Sequence, residues 1–130
     1  MTDPRLERLL ATVPGLRLKT DPADLEHYGR DWTRRWTPAP LAVALPGSVE
    51  EVQAIVRWAN DTGVALVPSG GRTGLSGGAM PHPLGVTLSL AKFNRILSLS
   101  PESRTAVVQC GVRNLAISEA AAPYNLYYAP

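Results

Sequence analysis

Cysteine and histidine are scarce in this chain of 130 residues, which contains one cysteine and two histidines. The single cysteine, Cys110, excludes a disulfide within the chain and a cluster of cysteine ligands. His27 and His82 lie far apart in the sequence, and neither has a second histidine at the spacing of a metal site. We therefore predict no metal site. Cys110 follows an apolar run and is expected to be a small buried strand residue.

Net charge and long apolar runs are lacking as well. Thirteen basic and eleven acidic residues give a formal net charge of +2, and because both signs are interspersed, no nucleic-acid partner is expected. No segment reaches the roughly 20 apolar residues that cross a bilayer, and the first residues lack the apolar core of a signal peptide. We expect a cytoplasmic protein that is at most peripheral to the inner face of a membrane.

Glycine, in contrast, is concentrated in one short segment, where five of the nine residues from 70 to 78 are glycine. Glycine adopts positive φ readily, and it allows successive backbone N–H groups to point into one concavity that binds a phosphate oxygen. The segment 69–78, called the glycine loop below, therefore predicts an anion site. A purely structural loop is the alternative, whereas a flexible linker is disfavoured because apolar strand-like segments flank it.

The spacing of the glycines narrows the kind of phosphate loop. Gly70 and Gly71 are adjacent, whereas the Rossmann fingerprint separates its first two glycines by one residue. A Walker A loop ends in Gly-Lys-Ser/Thr, and no lysine lies in the segment. Residues 71–74 match the four-residue loop of KH nucleic-acid-binding modules, but that module requires a helix on each side.

Apolar periodicity and turn residues predict an α+β fold. Helices are expected over 5–11, 22–28, 49–62 and 113–122, and strands over 41–45, 65–68, 86–90, 96–99 and 105–109. The order strand, helix, strand from 41 to 68 is typical of a parallel pair, and it places the glycine loop at the carboxyl end of the second strand, where α/β sheets bind ligands. The three later strands are expected to be antiparallel.

Local signals define the helix over 49–62. Residues 48–51 form a capping-box pattern, and Gly63 is a typical helix terminator. The apolar residues expected to face the core from this helix are Val49, Val52, Val56 and Ala59.

The two ends of the chain also carry aromatic residues. Trp32 and Trp36 are expected to anchor an N-terminal arm to the domain, with a ligand site as the alternative. Residues 126–130 end the chain in apolar and aromatic sequence, so we expect a truncated piece of a longer protein.

Three segments together resemble the FAD-binding (PCMH-type) fold of the vanillyl-alcohol-oxidase-like flavoproteins. These are residues 45–52, the glycine loop and residues 111–123, and the most specific stretches are residues 73–79 and 126–130. The similarity extends from about Leu41 to Pro130, and it is greatest to members that act as glycolate oxidase FAD-linked subunits and D-2-hydroxyacid dehydrogenases. It implies an N-terminal helical arm over 1–40 and the first part of the FAD-binding domain over 41–130.

The resemblance also implies the site residues. In this family the glycine loop holds the FAD pyrophosphate through backbone amides. By position this role falls to Gly70, Gly71, Thr73, Gly74, Gly77 and Gly78, and the same pocket is expected to be lined by Ser69, Arg72, Leu75 and Ser76. Relatives with covalent FAD have a histidine where this chain has Arg72, so non-covalent FAD is expected. The Arg72 guanidinium is expected either to pair with the pyrophosphate or to face solvent.

The implied activity is the oxidation of a D-2-hydroxy acid, such as glycolate or D-lactate, to the 2-oxo acid. The segment 30–33 is more similar to D-2-hydroxyglutarate dehydrogenases, which makes that substrate the alternative. Because the family's substrate and metal residues lie in a later domain, no catalytic residue is assigned and this portion alone is expected to be inactive. Other oxidase subunits are further candidate partners. A nucleic-acid-binding module and a non-catalytic assembly fragment remain as functions of other classes.

Overall fold

A four-stranded sheet organises residues 1–90, the first of two units into which the chain divides. The computed structural model describes residues 3–36 and 38–129; Met1, Thr2, Thr37 and Pro130, which belong to the predicted arm and the predicted C-terminal end, lie outside the described residues. The strands are β1 (Arg17–Lys19), β2 (Ala42–Leu45), β3 (Leu66–Ser69) and β4 (Val86–Ser89), in the spatial order β1-β2-β4-β3.

The pairing within this sheet differs from the sequence expectation in two ways. β4 lies between β2 and β3 and is parallel to both, so β2 and β3 are not neighbours, and the segment 86–90 is not antiparallel. The connection through residues 70–85 is long enough for a parallel crossover, which needs about a dozen residues or more. β1, which pairs antiparallel with β2, was not predicted because its sequence Arg-Leu-Lys carries too short a pattern.

Three helices accompany this sheet: α1 (Pro4–Thr12), α2 (Pro22–Tyr28) and α3 (Val49–Thr62). α3 begins as predicted, since the Ser48 hydroxyl accepts a hydrogen bond from the Glu51 N–H at 3.2 Å. The Glu51 carboxylate accepts from the Gly47 N–H, one residue earlier than in an ordinary capping box. Gly63 ends the helix at φ +67°, in the left-handed region that glycine favours.

The core lies between α1, α3 and one face of the sheet, and the face that α3 presents overlaps the predicted one only in part. Ile55 and Trp58 are buried, whereas Val49 and Val56 are 55% and 41% exposed. The indole Nε1 of Trp58 donates to the carbonyl oxygen of Arg5 at 3.2 Å. This large side chain fixes the rotation of α3 against α1. The predicted face is therefore right for the buried Ala59 and the partly buried Val52, and wrong for Val49 and Val56.

Residues 30–36 are organised by a buried carboxylate and not by their tryptophans. Trp32 and Trp36 are 68% and 59% exposed, so neither acts as the expected anchor. Asp31 is buried, and its Oδ1 accepts hydrogen bonds from the side chain and backbone of Thr33 and from the Arg34 N–H. The bonds from Thr33 lower the pKa of the Asp31 carboxyl. This turn leaves both indole rings exposed.

The second unit, residues 91–130, begins with the predicted antiparallel hairpin. It consists of β5 (Ile96–Ser100) and β6 (Thr105–Val108), and α4 (Asn114–Ala121) and a 3₁₀ turn at Ala122–Tyr124 follow. Cys110 lies in the turn after β6 and is exposed, so the expectation of a buried strand residue was wrong. β6 ends two residues before the cysteine, which therefore has no place in the pleat.

The α+β class is confirmed, and the predicted boundary at residue 40 stays a prediction. Over the described ranges 3–36 and 38–129, no helix combines the length and apolar character needed to cross a membrane.

The observed face of α3 makes a direct prediction. Ile55→Ala should lower the free energy of unfolding by about 2–5 kcal/mol because it leaves a cavity between helix and sheet. Val56→Ala, one position along and exposed, should change it by less than about 1 kcal/mol. Urea unfolding followed by circular dichroism measures both. Equal losses in the two variants would contradict the burial pattern.

Candidate functional site

The glycine loop begins where two parallel strands end. Ser69 is the last residue of β3 and lies beside Ser89 of β4, and the Leu90 N–H donates to the Ser69 carbonyl oxygen at 3.2 Å. Because β3 and β4 are parallel, both carboxyl ends meet at this edge of the sheet. The predicted position of the loop at a carboxyl edge is confirmed, even though the neighbouring strand is β4.

Some glycines in this chain are required by the fold itself. A Cβ at Gly85 would lie 2.7 Å from the Ala65 carbonyl oxygen, and a Cβ at Gly29 would lie 2.5 Å from the Pro38 carbonyl oxygen. Gly77 has a φ of +81°, which other residues rarely adopt. Packing or backbone conformation explains these three glycines.

Four glycines of the loop have no such explanation. A Cβ at Gly70, Gly74 or Gly78 would meet nothing within 4 Å, and at Gly71 it would meet only the Thr73 side chain at 3.8 Å. None of the four has a positive φ. The chain therefore leaves open space directly over this backbone, which is the property that lets a ligand approach main-chain N–H groups closely.

A buried hydroxyl without a partner lies at the start of the loop. The Ser69 side chain is only 1% exposed, and its Oγ has no hydrogen-bond partner within the described residues. Thr87 Oγ1 is in the same state on the neighbouring strand, and the register places both side chains on the same face of the sheet. An unsatisfied buried hydroxyl costs about 1–3 kcal/mol, so both positions favour a bound polar group.

Thr87 was not predicted as a site residue. The signal was present in the alternation Val-Thr-Leu-Ser of β4, which places Thr87 and Ser89 on one face and Val86 and Leu88 on the other. All four side chains are buried. A polar face that is buried as completely as the apolar face distinguishes this strand from an ordinary half-exposed one.

Arg72 makes side-chain contacts that neither expected orientation describes. Its Nη2 lies 2.8 Å from Nε2 of His27, and its Cζ lies 4.6 Å from the centre of the Tyr28 ring. A guanidinium only donates, so His27 Nε2 is the acceptor and the imidazole carries its proton on Nδ1. Arg72 is therefore held against α2 and does not extend freely into solvent.

The remaining predicted residues form the exposed far part of the loop. Thr73, Leu75 and Ser76 are exposed. The Gly77 carbonyl oxygen accepts from the Met80 N–H at 3.0 Å, which closes a turn. Gly77 and Met80 also line an open depression of about 760 Å³ together with Arg35, Trp36 and Pro38.

The groups that the glycine loop offers are suited to binding. In residues 3–36 and 38–129, no three His, Cys, Asp or Glu side chains are arranged to hold a metal ion. The loop offers backbone donors and a buried hydroxyl at the edge of a sheet. This combination is suited to hold an anionic ligand.

Comparison with known proteins agrees with this geometry. Residues 40–130 match the family model described as an FAD binding domain. The chain is 62% identical to D-2-hydroxyglutarate dehydrogenase of Xanthomonas citri pv. viticola over 98% of its own length and 27% of that protein. It is 47% identical to glycolate oxidase subunit GlcD of Escherichia coli K12 over 91% of its own length and 24% of that protein.

The fold is also found in a solved structure. A solved structure of p-cresol methylhydroxylase superposes with a TM-score of 0.80 at 24% identity, over 95% of this chain and 25% of that one. The chain thus spans about a quarter of the length of the relatives it matches. Because the family model covers more than half of its residues, the chain belongs to the FAD binding domain family.

Proposed function

We propose that this chain is the FAD-binding portion of a flavin-dependent oxidoreductase that converts a D-2-hydroxy acid to the 2-oxo acid. The observation that carries the proposal is the open backbone at Gly70, Gly71, Gly74 and Gly78, where the fold itself does not require glycine. Such positions are explained when a ligand occupies the space that a Cβ would fill.

The residues present fit FAD. In the proposal, the backbone of the glycine loop holds the pyrophosphate, since main-chain N–H groups bind phosphate oxygens without a fixed charge. Ser69 contributes its buried Oγ, which otherwise lacks a partner. Thr73, Leu75 and Ser76 are exposed around the same backbone and line the pocket.

In the proposal, the cofactor and this chain have different roles. The flavin supplies hydride acceptance when bound, and this chain supplies binding and orientation of the cofactor. The general base that takes the hydroxyl proton from the substrate is assigned to the part of the protein outside this chain. The portion described here is accordingly inactive by itself.

The relatives' names support the proposed substrate class. Glycolate and D-lactate are the proposed substrates, and D-2-hydroxyglutarate is the alternative. The alternative has specific support, because the Xanthomonas protein with 62% identity carries the name of a D-2-hydroxyglutarate dehydrogenase. Other oxidase subunits are proposed partners because the Escherichia coli relative is named as a subunit.

We also propose that FAD is bound without a covalent link. The residue at the position of the linking histidine is Arg72, whose guanidinium is always protonated and is not a nucleophile. Its side chain is already engaged with His27 and Tyr28.

The first test measures the reduction of bound flavin in the full-length protein that carries this sequence. We expect a visible flavin spectrum that bleaches without oxygen when a D-2-hydroxy acid is added. Glycolate, D-lactate and D-2-hydroxyglutarate are compared, with each L-enantiomer, where one exists, as the control. A colourless protein that FAD cannot reconstitute would contradict the FAD site, whereas a yellow protein that none of the acids bleaches would contradict only the substrate class.

The second test concerns the link to FAD. Acid denaturation and filtration should release all of the flavin into the filtrate, because no bond joins it to the chain. The absorbance of the filtrate and the intact mass of the protein measure this. A protein mass raised by one FAD would refute non-covalent binding.

The third test addresses the loop. Gly74→Val should leave the free energy of unfolding of the FAD-free protein within about 1 kcal/mol of the original, because the new side chain enters open space. It should abolish FAD retention, because the branched side chain occupies the place of the pyrophosphate. Thermal unfolding and the flavin-to-protein absorbance ratio measure the two effects.

Gly85→Ala is the matched control for that variant. Its Cβ would lie 2.7 Å from the Ala65 carbonyl oxygen, so it should destabilise the fold and reduce FAD only as far as the protein unfolds. Stoichiometric FAD in folded Gly74→Val would mean that the loop has only a structural role.

A further inference from the structure

We propose that Arg72 is a positioning residue that fastens the glycine loop to α2 and so holds the loop ready for FAD before FAD binds. The proposal rests on the FAD site proposed above and assigns this side chain a role that does not involve contact with the cofactor. The set Arg72, His27 and Tyr28 is called the clasp below.

The contacts of the clasp are specific for an arginine. The guanidinium donates to His27 Nε2 at 2.8 Å and stacks over the Tyr28 ring at 4.6 Å from its centre. A planar guanidinium makes both contacts at once, because its edge donates while its face lies on the ring. The T-shaped contact between the rings of His27 and Tyr28, with centres 5.2 Å apart, presents both groups to one partner.

The backbone at Arg72 adopts a conformation that is costly for a residue with a side chain. Its φ is +56°, in the left-handed region, where a residue with a Cβ is strained and glycine is not. Gly71 and Gly74 stand close by without positive φ. The residue in the unfavourable conformation is therefore the one residue of residues 70–74 with a long side chain, and the contacts with α2 offset the strain.

Few other bonds hold this part of the loop. Within the described residues, the side-chain hydrogen bond from Arg72 to His27 is the one that joins residues 70–76 to another element. The open space over the neighbouring glycines offers no packing in its place. Without the clasp, the loop would be held only by the backbone hydrogen bond at Ser69 and by the turn that starts at Gly77.

α2 is itself attached to the sheet, so the clasp joins the glycine loop to a helix that is held in place. Asp24 of α2 pairs with Lys19 of β1. Gly29 at the end of α2 lies close against the Pro38 backbone. A loop fixed to such a helix loses less conformational freedom when it binds a ligand, and its affinity is correspondingly higher.

The test compares pairs of variants that remove or keep each contact. Arg72→Ala removes the clasp; Tyr28→Leu and His27→Ala remove one contact each. Tyr28→Phe keeps the aromatic face, and His27→Gln keeps an acceptor for the guanidinium. Arg57→Ala, at an exposed arginine of α3, is the control for loss of one positive charge.

Two quantities are measured in the full-length protein. The first is the rate of chymotrypsin cleavage after the exposed Leu75 before FAD is added, which reports on opening of the loop and does not depend on FAD binding. The second is the dissociation constant for FAD from quenching of its fluorescence.

We expect faster cleavage and FAD binding about twofold to tenfold weaker in Arg72→Ala, Tyr28→Leu and His27→Ala, as for the loss of one cation–π contact or one hydrogen bond. Tyr28→Phe, His27→Gln and Arg57→Ala should retain the original values. The double variant of Arg72→Ala with Tyr28→Leu should be no worse than Arg72→Ala alone, because both changes release the same clasp.

Other results would overturn the proposal. If Arg72→Ala alone weakens FAD binding, and does so less at high salt, the guanidinium pairs with the pyrophosphate. Unchanged cleavage after Leu75 in all three variants would refute the clasp whatever happens to FAD. If cleavage responds as expected but the unaltered protein binds no FAD, the clasp stands and the proposed function fails.

Discussion

The parallel insertion of β4 between β2 and β3 is the constraint on which the rest of the structure depends. Because β4 runs in the same direction as β3, the chain has to leave β3 at one edge of the sheet and return to the opposite edge through residues 70–85. The glycine loop is the first part of that return. Its location at a carboxyl edge, beside the end of β4, follows from this strand order and not from any property of glycine.

The sequence predicted the features that depend on neighbouring residues. Three of these features follow from signals within a few residues of each element. They are the caps of α3, the hairpin of β5 and β6, and the position of the glycine loop after β3. The features that depend on distant residues were missed. Three such features join residues that are far apart in the chain, and no local pattern predicts them. They are the insertion of β4, the rotation of α3 around Trp58 and the contact of Arg72 with α2.

The candidate site shows the same division. The resemblance to the flavoproteins predicted which residues belong to the site. The three-dimensional structure was needed to separate the crowded glycines from the open ones, because both kinds look alike in sequence. Exposure of Trp32, Trp36 and Cys110 was also beyond local reasoning. Each lies outside a helix or strand, where periodicity does not apply.

The open glycines have a genetic consequence. At most positions in a small domain, natural selection acts on a substitution first through the amount of folded protein. At Gly70, Gly74 and Gly78 a Cβ would meet no atom within 4 Å among the described residues, so we expect a substitution there to act through the ligand. Alleles altered at these positions would be identified by the loss of bound cofactor, and their abundance would fall only by the stability that the bound cofactor supplies.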